Sequence, residues 1–247
     1  MKKIRISAVS YTNTKPFIYG LQHADILGKI ELSLDTPADC AQKLIDDNAD
    51  IGLIPVAAVL NIPGWNIVSD YCIGAVGAVN SVFIFSNCPI NEVKQLQLDP
   101  QSRSSNNLAK VLLKNYWDLK PELIVDAPDY SASKNNQTAF VQIGDRTFGK
   151  KDKYPFVYDL AEEWQKFTGL PFMFAGWIAN KAIPTEFLTE FNAALKLGLD
   201  SRAELFKELT HYEDFDIEDY LVNKIDFNVT EDKIKAMNLF LKYIGQL

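Results

Sequence analysis

An apolar strand runs directly into a helix start in the sequence IRISAVSYTNTKP, residues 4–16. The apolar run ends at Val9, and small hydroxyl and amide residues then precede Lys15 and Pro16. A helix start leaves several backbone N–H groups without partners inside the helix, all pointing the same way. Together with the positive end of the helix dipole, they favour a carboxylate or phosphate ligand. This stretch therefore predicts an anion-binding junction between a strand and a helix.

The same pattern occurs a second time, in the sequence SRSSNN at residues 102–107. It follows a short apolar strand at 96–98 and precedes a helical run at 108–116. Each junction has one cation beside it, Lys15 in the first and Arg103 in the second. Two such junctions predict a pocket for a small molecule with two anionic groups.

The composition of the chain argues for a globular protein and against a nucleic-acid-binding or membrane-spanning one. The chain has 247 residues, 47% of them hydrophobic, enough for one large domain or two small ones. Its net charge of −7, without clustered lysines and arginines among exposed aromatics, argues against a nucleic-acid surface. The apolar stretches at 51–60 and 171–179 are too short to span a bilayer.

The N-terminal sequence and the cysteines indicate the cellular compartment in which the protein works. The first residues alternate apolar and polar side chains, which is typical of a strand and unlike the continuous apolar core of a signal peptide. The three cysteines have no metal-ligand spacing and are interpreted as buried thiols in a reducing compartment. We expect a cytoplasmic protein that does not act at a membrane. The sequence does not indicate an oligomeric state.

Strands and helices alternate through two successive blocks, which predicts an α/β fold. The residues after 184 are nearly all helical and must pack on an existing sheet, for which the first block is the favoured host. We therefore expect two lobes, with residues 1–85 and 178–247 in one and 86–177 in the other. The chain would cross twice between them, forming a central cleft and a two-strand hinge. Ligands of α/β sheets bind beyond strand C-termini, so both junctions are expected to face the cleft.

Several polar residues are candidates for chemistry, each with a plainer alternative. The Asn13 amide can bind a substrate hydroxyl or carboxylate, or it can simply cap a turn. Ser104 and Ser105 can bind an oxyanion or act as ordinary helix caps. Ser81, which interrupts an apolar strand, can reach a cleft or allow close packing, and Asp145 can be a general base or a turn cap.

Other catalytic systems find no support in the sequence. The two histidines, His23 and His211, have no Ser, Cys or Asp partner at the spacing of a hydrolase triad. No set of His, Cys and Asp has metal-ligand spacing, and the Gly-rich dinucleotide and phosphate-loop motifs are absent. We therefore expect neither a metal nor a cofactor.

Taken in order, several segments resemble the chorismate dehydratases of the futalosine route to menaquinone. The similarity extends from the N-terminus to about Trp177 and is specific as an ordered set. The segments are SYTNTKP at 10–16, GLIP at 52–55, NSV at 80–82, SRSS at 102–105, IGD at 143–145 and TGLPFMFA at 168–175.

The resemblance implies a periplasmic-binding-protein-like type II fold and loss of water from chorismate to give 3-[(1-carboxyvinyl)oxy]benzoate. Residues that fall on the family's pocket motifs are Asn13, Ser81, Ser104, Ser105 and Asp145. Of these we expect Asn13 and Ser81 to be catalytic. The other three, with Thr14, Lys15 and Arg103, are expected to bind substrate. Thr12 and Ser104 depart from the family, which more often has Leu and Thr at these positions.

Two other functions compete with this one. The first is the sister enzyme of the same pathway and fold, which forms 1,4-dihydroxy-6-naphthoate. The resemblance implies a pocket histidine as its base, and no histidine occurs between His23 and His211. The second is a non-catalytic intracellular binding protein for a small anionic ring acid.

Overall fold

The computed structural model describes residues 3–125 and 136–247. It confirms the alternation of strands and helices that the sequence predicts. Most of the predicted polar loop at 131–136 lies outside the described residues. The strands are β1 Ile4–Val9, β2 Ile30–Asp35, β3 Ile51–Pro55, β4 Asn66–Ala75, β5 Val82–Ser86, β6 Gln95–Gln97, β7 Glu122–Ile124, β8 Thr138–Ile143, β9 Phe156–Asp159, β10 Phe172–Ala179 and β11 Asp226–Asn228. The helices are α1 Lys15–His23, α2 Pro37–Ile45, α3 Arg103–Asn115, α4 Leu160–Thr168, α5 Thr185–Asp200, α6 Arg202–Phe206, α7 Ile217–Asp219 and α8 Glu231–Ile244.

The chain forms two compact units, each containing one sheet. The first unit comprises Met1–Gly74, Met173–His211 and Asp226–Thr230. Its six-stranded sheet has the order β11-β4-β10-β3-β1-β2. β1 pairs in parallel with both β2 and β3, and β10 pairs antiparallel with β3. The parallel strands therefore end at one edge, where the stretch 10–16 begins.

Two glycines fix the position of α1 in this unit. A Cβ on Gly20 would lie 2.0 Å from the carbonyl oxygen of Ala194, and one on Gly198 would lie 1.8 Å from that of Pro16. No real Cβ approaches an atom so closely, so α1 and α5 touch backbone to backbone through these glycines. The close contact with α5 therefore fixes the start of α1 and the polar residues that precede it.

The second unit comprises Ala75–Phe172, Tyr212–Ile225 and Glu231–Leu247. Its five-stranded sheet has the order β7-β6-β8-β5-β9. β6 is parallel to β7 and β8, and β5 is antiparallel to β8 and β9. Phe83, Phe85 and Phe140 form a buried aromatic cluster on this sheet.

The observed division differs from the expected lobe boundaries in several segments. Residues 75–85 belong to the second unit, because β5 completes its sheet between β8 and β9. The expectation that the C-terminal helices pack on the first block is wrong for α7 and α8, which belong to the second unit. The chain passes between the units five times, where two crossings were expected. The Phe240 ring of α8 lies 5.0 Å from that of Phe172 and 6.0 Å from that of Trp164, in the second unit. The spacing of apolar residues shows which face of a helix is buried, but it does not show on which sheet that face packs.

No helix within the described ranges has the length and hydropathy needed to cross a membrane.

Candidate functional site

The first predicted junction lies where the sequence places it, at the end of β1. A 3-10 turn, Thr12–Thr14, follows the strand and leads into α1, with Pro16 in the first turn of the helix. Thr12 and Thr14 are buried, and the Thr14 Oγ1 donates to Asn13 Oδ1 at 3.3 Å. The Thr14 side chain makes no capping hydrogen bond to the helix among the described residues. The Thr14 side chain therefore does not accept a hydrogen bond from the first N–H groups of α1.

A cavity of about 340 Å³ in the first unit adjoins this junction. Lys15 lines it, whereas Asn13 and Thr14 lie outside its walls. His23, also on the wall, stacks on Tyr19 with ring centroids 4.0 Å apart, and its Nδ1 lies 2.8 Å from the Tyr19 carbonyl oxygen. The cation predicted at this junction therefore faces a space large enough for a small organic molecule.

The second predicted junction is the start of α3 in the second unit. The helix begins at Arg103, and Ser102 is its N-cap. The Ser102 Oγ accepts from the Ser105 N–H at 3.0 Å, so the chain itself uses one N–H of this helix start. Ser104 and Ser105 are each only 3% exposed, and Arg103 is exposed. The capping role therefore belongs to Ser102, and the role of the Ser104 and Ser105 hydroxyls in binding stays a prediction.

Ser81 and Asp145 are brought together at the same sheet edge. In the antiparallel pair of β5 and β8, Val82 lies opposite Ile143, so Ser81 and Gly144 meet just beyond the ladder. The Gly144 N–H donates to the Ser81 carbonyl oxygen at 2.8 Å. Gly144 has a φ of 64°, a left-handed conformation that glycine adopts without strain, and Asp145 follows in a 3-10 turn.

An ion pair with a buried carboxylate, which the sequence analysis missed, joins this end of the sheet to α3. The Asp99 carboxylate accepts from Arg146 Nη2 at 2.6 and 2.8 Å and from the Ile143 N–H at 3.1 Å. Asn106 of α3 binds the Asp99 backbone, with its Nδ2 donating at 2.7 Å to the carbonyl oxygen. The sequence signal for this pair was an aspartate two residues after β6 and an arginine directly after Asp145.

The turn before Ser81 is held by a second carboxylate that sequence reasoning missed. Asp159 Oδ2 accepts from the Asn80 N–H at 2.7 Å, and its Oδ1 caps α4 by accepting from Ala161 at 3.0 Å and Glu162 at 3.3 Å. Asn80 has a φ of 57°, so this contact supports a left-handed residue next to Ser81. Burial raises the pKa of Asp159 to about 6, although its backbone hydrogen bonds oppose that rise.

Together these contacts define one polar cluster at an edge of the second sheet, which we call the second-sheet site. It brings four of the predicted residues, Ser81, Ser104, Ser105 and Asp145, to one end of the sheet. There the Asp99 carboxylate binds Arg146 and the Ile143 N–H. The hydroxyl groups of this site and the Arg103 cation at the start of α3 suit an oxygen-rich anionic ligand. Within the ranges that the structure describes, no group of three or more His, Cys, Asp and Glu side chains is arranged to hold a metal ion. Asn13, Thr14 and Lys15 belong to the first unit, so their expected approach to these residues stays a prediction.

Solved structures define the class of fold. Protein AF1704 from Archaeoglobus fulgidus superposes with a TM-score of 0.73 at 16% identity, covering 99% of this chain and 98% of that chain. An ABC transporter structure from Parabacteroides distasonis gives a TM-score of 0.68 at 17% identity, covering 100% and 93%. The periplasmic aliphatic sulphonate binding protein SsuA from Escherichia coli gives 0.64 at 14% identity, covering 100% and 92%. The chain therefore has the two-lobed, type II periplasmic-binding-protein-like fold.

The family follows from the sequence over almost its full length. Residues 4–246 match the family model described as menaquinone biosynthesis. The chain belongs to this menaquinone biosynthesis family, which supports a role in that pathway and indicates an enzyme.

Proposed function

We propose that this protein is a chorismate dehydratase, a hydro-lyase that converts chorismate into 3-[(1-carboxyvinyl)oxy]benzoate and water. The observation that carries the proposal is the second-sheet site. It joins Ser81, Asp145, Ser104 and Ser105, which come from separate parts of the sequence and fall on the motifs of the dehydratase family. The family membership supplies the pathway, and the residues of this site support the reaction within it.

The charge of chorismate agrees with the predicted cations. Chorismate carries two carboxylates, and we propose that the junction at Lys15 and the start of α3 each bind one of them. Sulphonate-binding proteins such as SsuA share this fold, which supports a small organic anion as ligand. Helix N-termini suit such anions through their N–H groups and dipole.

The reaction places modest demands on the protein. Loss of the C3 proton and the C4 hydroxyl makes the ring aromatic, so the thermodynamic drive is large. The enzyme must fix the ring, provide a base and stabilise the departing hydroxyl. In this proposal the substrate's own enolpyruvyl carboxylate takes the C3 proton, and Asn13 holds that carboxylate and the ring in one arrangement. The Ser81 hydroxyl donates a hydrogen bond to the departing C4 oxygen. As the C3–H electron pair forms the new ring double bond, the C4–O bond breaks, and the oxygen takes the C3 proton from the substrate's carboxylic acid and leaves as water.

The surroundings of the thiols support a cytoplasmic location, which we also propose. Cys40, Cys72 and Cys88 are all buried thiols. Burial raises the pKa of the Cys40 thiol to about 12, so it is not a nucleophile at neutral pH. Such cysteines are typical of proteins that work in a reducing compartment.

A second candidate, binding without turnover, is favoured by the fold of the solved neighbours. The sister synthase that forms 1,4-dihydroxy-6-naphthoate is less favoured. Its expected histidine base is missing from the sequence between His23 and His211, and His23 is stacked on Tyr19. A binding protein would retain chorismate unchanged, and the synthase would leave it unbound and unchanged.

One experiment distinguishes the dehydratase from the other two functions. Purified protein is incubated with chorismate, and the products are resolved by mass and by aromatic absorbance. A dehydratase gives a product lighter by one water, and Asn13→Ala lowers its rate by about a hundredfold, the range for one polar group aligned with a transition state. Asn66→Ala is the matched control, because the exposed Asn66 side chain bonds only locally, with its Nδ2 donating to the Gly64 carbonyl oxygen at 3.2 Å. Unchanged chorismate would refute the proposed activity.

A further inference from the structure

Ser81 has a partner that the sequence pattern does not reveal. The Tyr220 hydroxyl donates to Ser81 Oγ at 2.8 Å, over a sequence separation of 139 residues. Both residues are only 1% exposed. A serine hydroxyl has one donor and two acceptor sites, so a serine that accepts from a phenol keeps its own O–H for another group. The contact therefore restricts the directions in which the Ser81 O–H can point.

The Tyr220 ring is clamped by aromatic neighbours. Phe148 and Phe215 stack with ring centroids 3.8 Å apart and planes 11° from parallel. The Tyr220 ring lies 5.3 Å from each, at 70° to Phe148 and 62° to Phe215. Edge-to-face packing of this kind favours one ring orientation. Phe148 follows the 3-10 turn that carries Asp145, so the clamp is attached to the second-sheet site.

The backbone at Tyr220 is also unusual. Tyr220–Lys224 forms a π-helical turn directly after α7, and the Ile225 N–H donates to the Tyr220 carbonyl oxygen at 3.0 Å. Single π turns are rare and occur frequently at functional sites. Tyr220 is the first residue of this π-helical turn, and its hydroxyl contacts Ser81.

We propose that Tyr220 is a positioning residue for Ser81. Its phenol occupies one acceptor site of Ser81 Oγ, which directs the serine O–H toward the departing C4 hydroxyl of the substrate. Tyr220 itself need not touch the substrate. This inference rests on the proposed function, because it assigns Tyr220 a part in the same dehydration.

The test is a double-mutant cycle on turnover of chorismate. Tyr220→Phe keeps the ring and removes the donor, and we expect kcat to fall about tenfold, the upper range for one neutral hydrogen bond, with KM within about twofold. Ser81→Ala lowers kcat at least as much. The combined variant matches Ser81→Ala alone, because residues that act through one another are not additive.

Two further variants separate positioning from folding. Tyr154→Phe removes a hydroxyl from a different aromatic cluster of the same unit, where the ring lies 4.9 Å from Phe85, and should leave kcat unchanged. If Tyr220→Phe melts early, Phe148→Leu serves instead. It keeps the phenol but loosens its clamp, so it lowers kcat in the wild-type background and has no effect beside Ser81→Ala.

Each outcome decides between the claims. Additive losses in the cycle, or a Tyr220→Phe variant as fast as wild type, overturn the positioning role and leave the proposed function intact. A wild-type protein that binds chorismate without converting it overturns the dehydratase, and the same cycle is then measured on Kd. In that cycle, non-additive losses of chorismate affinity support the coupling of Tyr220 to Ser81, and additive losses of affinity refute it. A protein that neither binds nor converts chorismate overturns both.

Discussion

The Asp99–Arg146 ion pair is expected to stabilise the second unit more than any surface pair. The Asp99 side chain is fully buried, and it accepts from Arg146, from the Ile143 N–H and, at 2.9 Å, from the Gln101 N–H. Asp99→Ala would leave the Arg146 guanidinium and two backbone N–H groups without this acceptor. The loss would separate the end of β8 from the loop that leads into α3.

The size of the effect follows from this burial. Asp99→Ala is expected to cost roughly 2–5 kcal/mol, because two backbone N–H groups lose their acceptor, at about 1–3 kcal/mol each, and the 30% exposed Arg146 side chain loses its counter-ion. That is a large share of the roughly 5–15 kcal/mol by which folded domains are stable. At a urea m-value of about 2 kcal/mol/M, we expect the unfolding midpoint to fall by roughly 2 M.

The assay is urea unfolding followed by circular dichroism. Asp232→Ala is the matched control, since the Asp232–Lys235 pair has a similar distance of 2.9 Å but side chains 61% and 63% exposed. Exposed pairs of this kind contribute about 0–1 kcal/mol. An Asp99→Ala variant whose midpoint falls no further than that of the control would show that the buried pair does not hold this edge together.

Three other predictions test separate parts of the structure. Gly198→Ala should lower the melting temperature, because its Cβ would lie 1.8 Å from the Pro16 carbonyl oxygen; overpacking of this kind costs roughly 1–3 kcal/mol. Gly28→Ala, with nothing within 4 Å, is its control, and equal melting temperatures would contradict the close contact. The buried Asp159 carboxyl has a pKa raised from 3.8 to about 6, so the folded state favours its protonated form. Its contribution to stability is greatest below pH 4 and falls by roughly 3 kcal/mol as the pH rises through 6. Urea midpoints should therefore fall more steeply over this range in wild type than in Asp159→Asn, and parallel curves would contradict the raised pKa. Asn13→Asp keeps the side-chain shape but adds a negative charge beside a dianion, so calorimetry should show weaker chorismate binding; unchanged affinity would place Asn13 away from the substrate.

Local sequence signals predicted the junctions well. The strand at 4–9 and the helix starts near Lys15 and Arg103 follow from apolar runs, capping residues and proline, all of which act within a few residues. The fold class followed from the alternation of strands and helices. The resemblance to the dehydratase family then indicated the type II fold, which the solved structures confirm.

Long-range pairing could not be predicted in the same way. β5 belongs to the second sheet because of its partners β8 and β9, more than fifty residues further along the chain, and nothing within the strand identifies them. The Asp99–Arg146 pair and the Tyr220–Ser81 contact join residues 47 and 139 positions apart. A single sequence shows which residue types are present, but it does not show which of them contact each other across such distances.

Dehydration across C3 and C4 can be followed with chorismate deuterated at C3. We expect an aromatic product that is lighter by the elements of water and has lost the deuterium. The labelled substrate should also react more slowly if proton removal limits the rate. A product that retains the deuterium would show that the C3 proton is not removed. Chorismate that only rearranges, and does so at the rate measured without protein, would show that the protein does not catalyse dehydration.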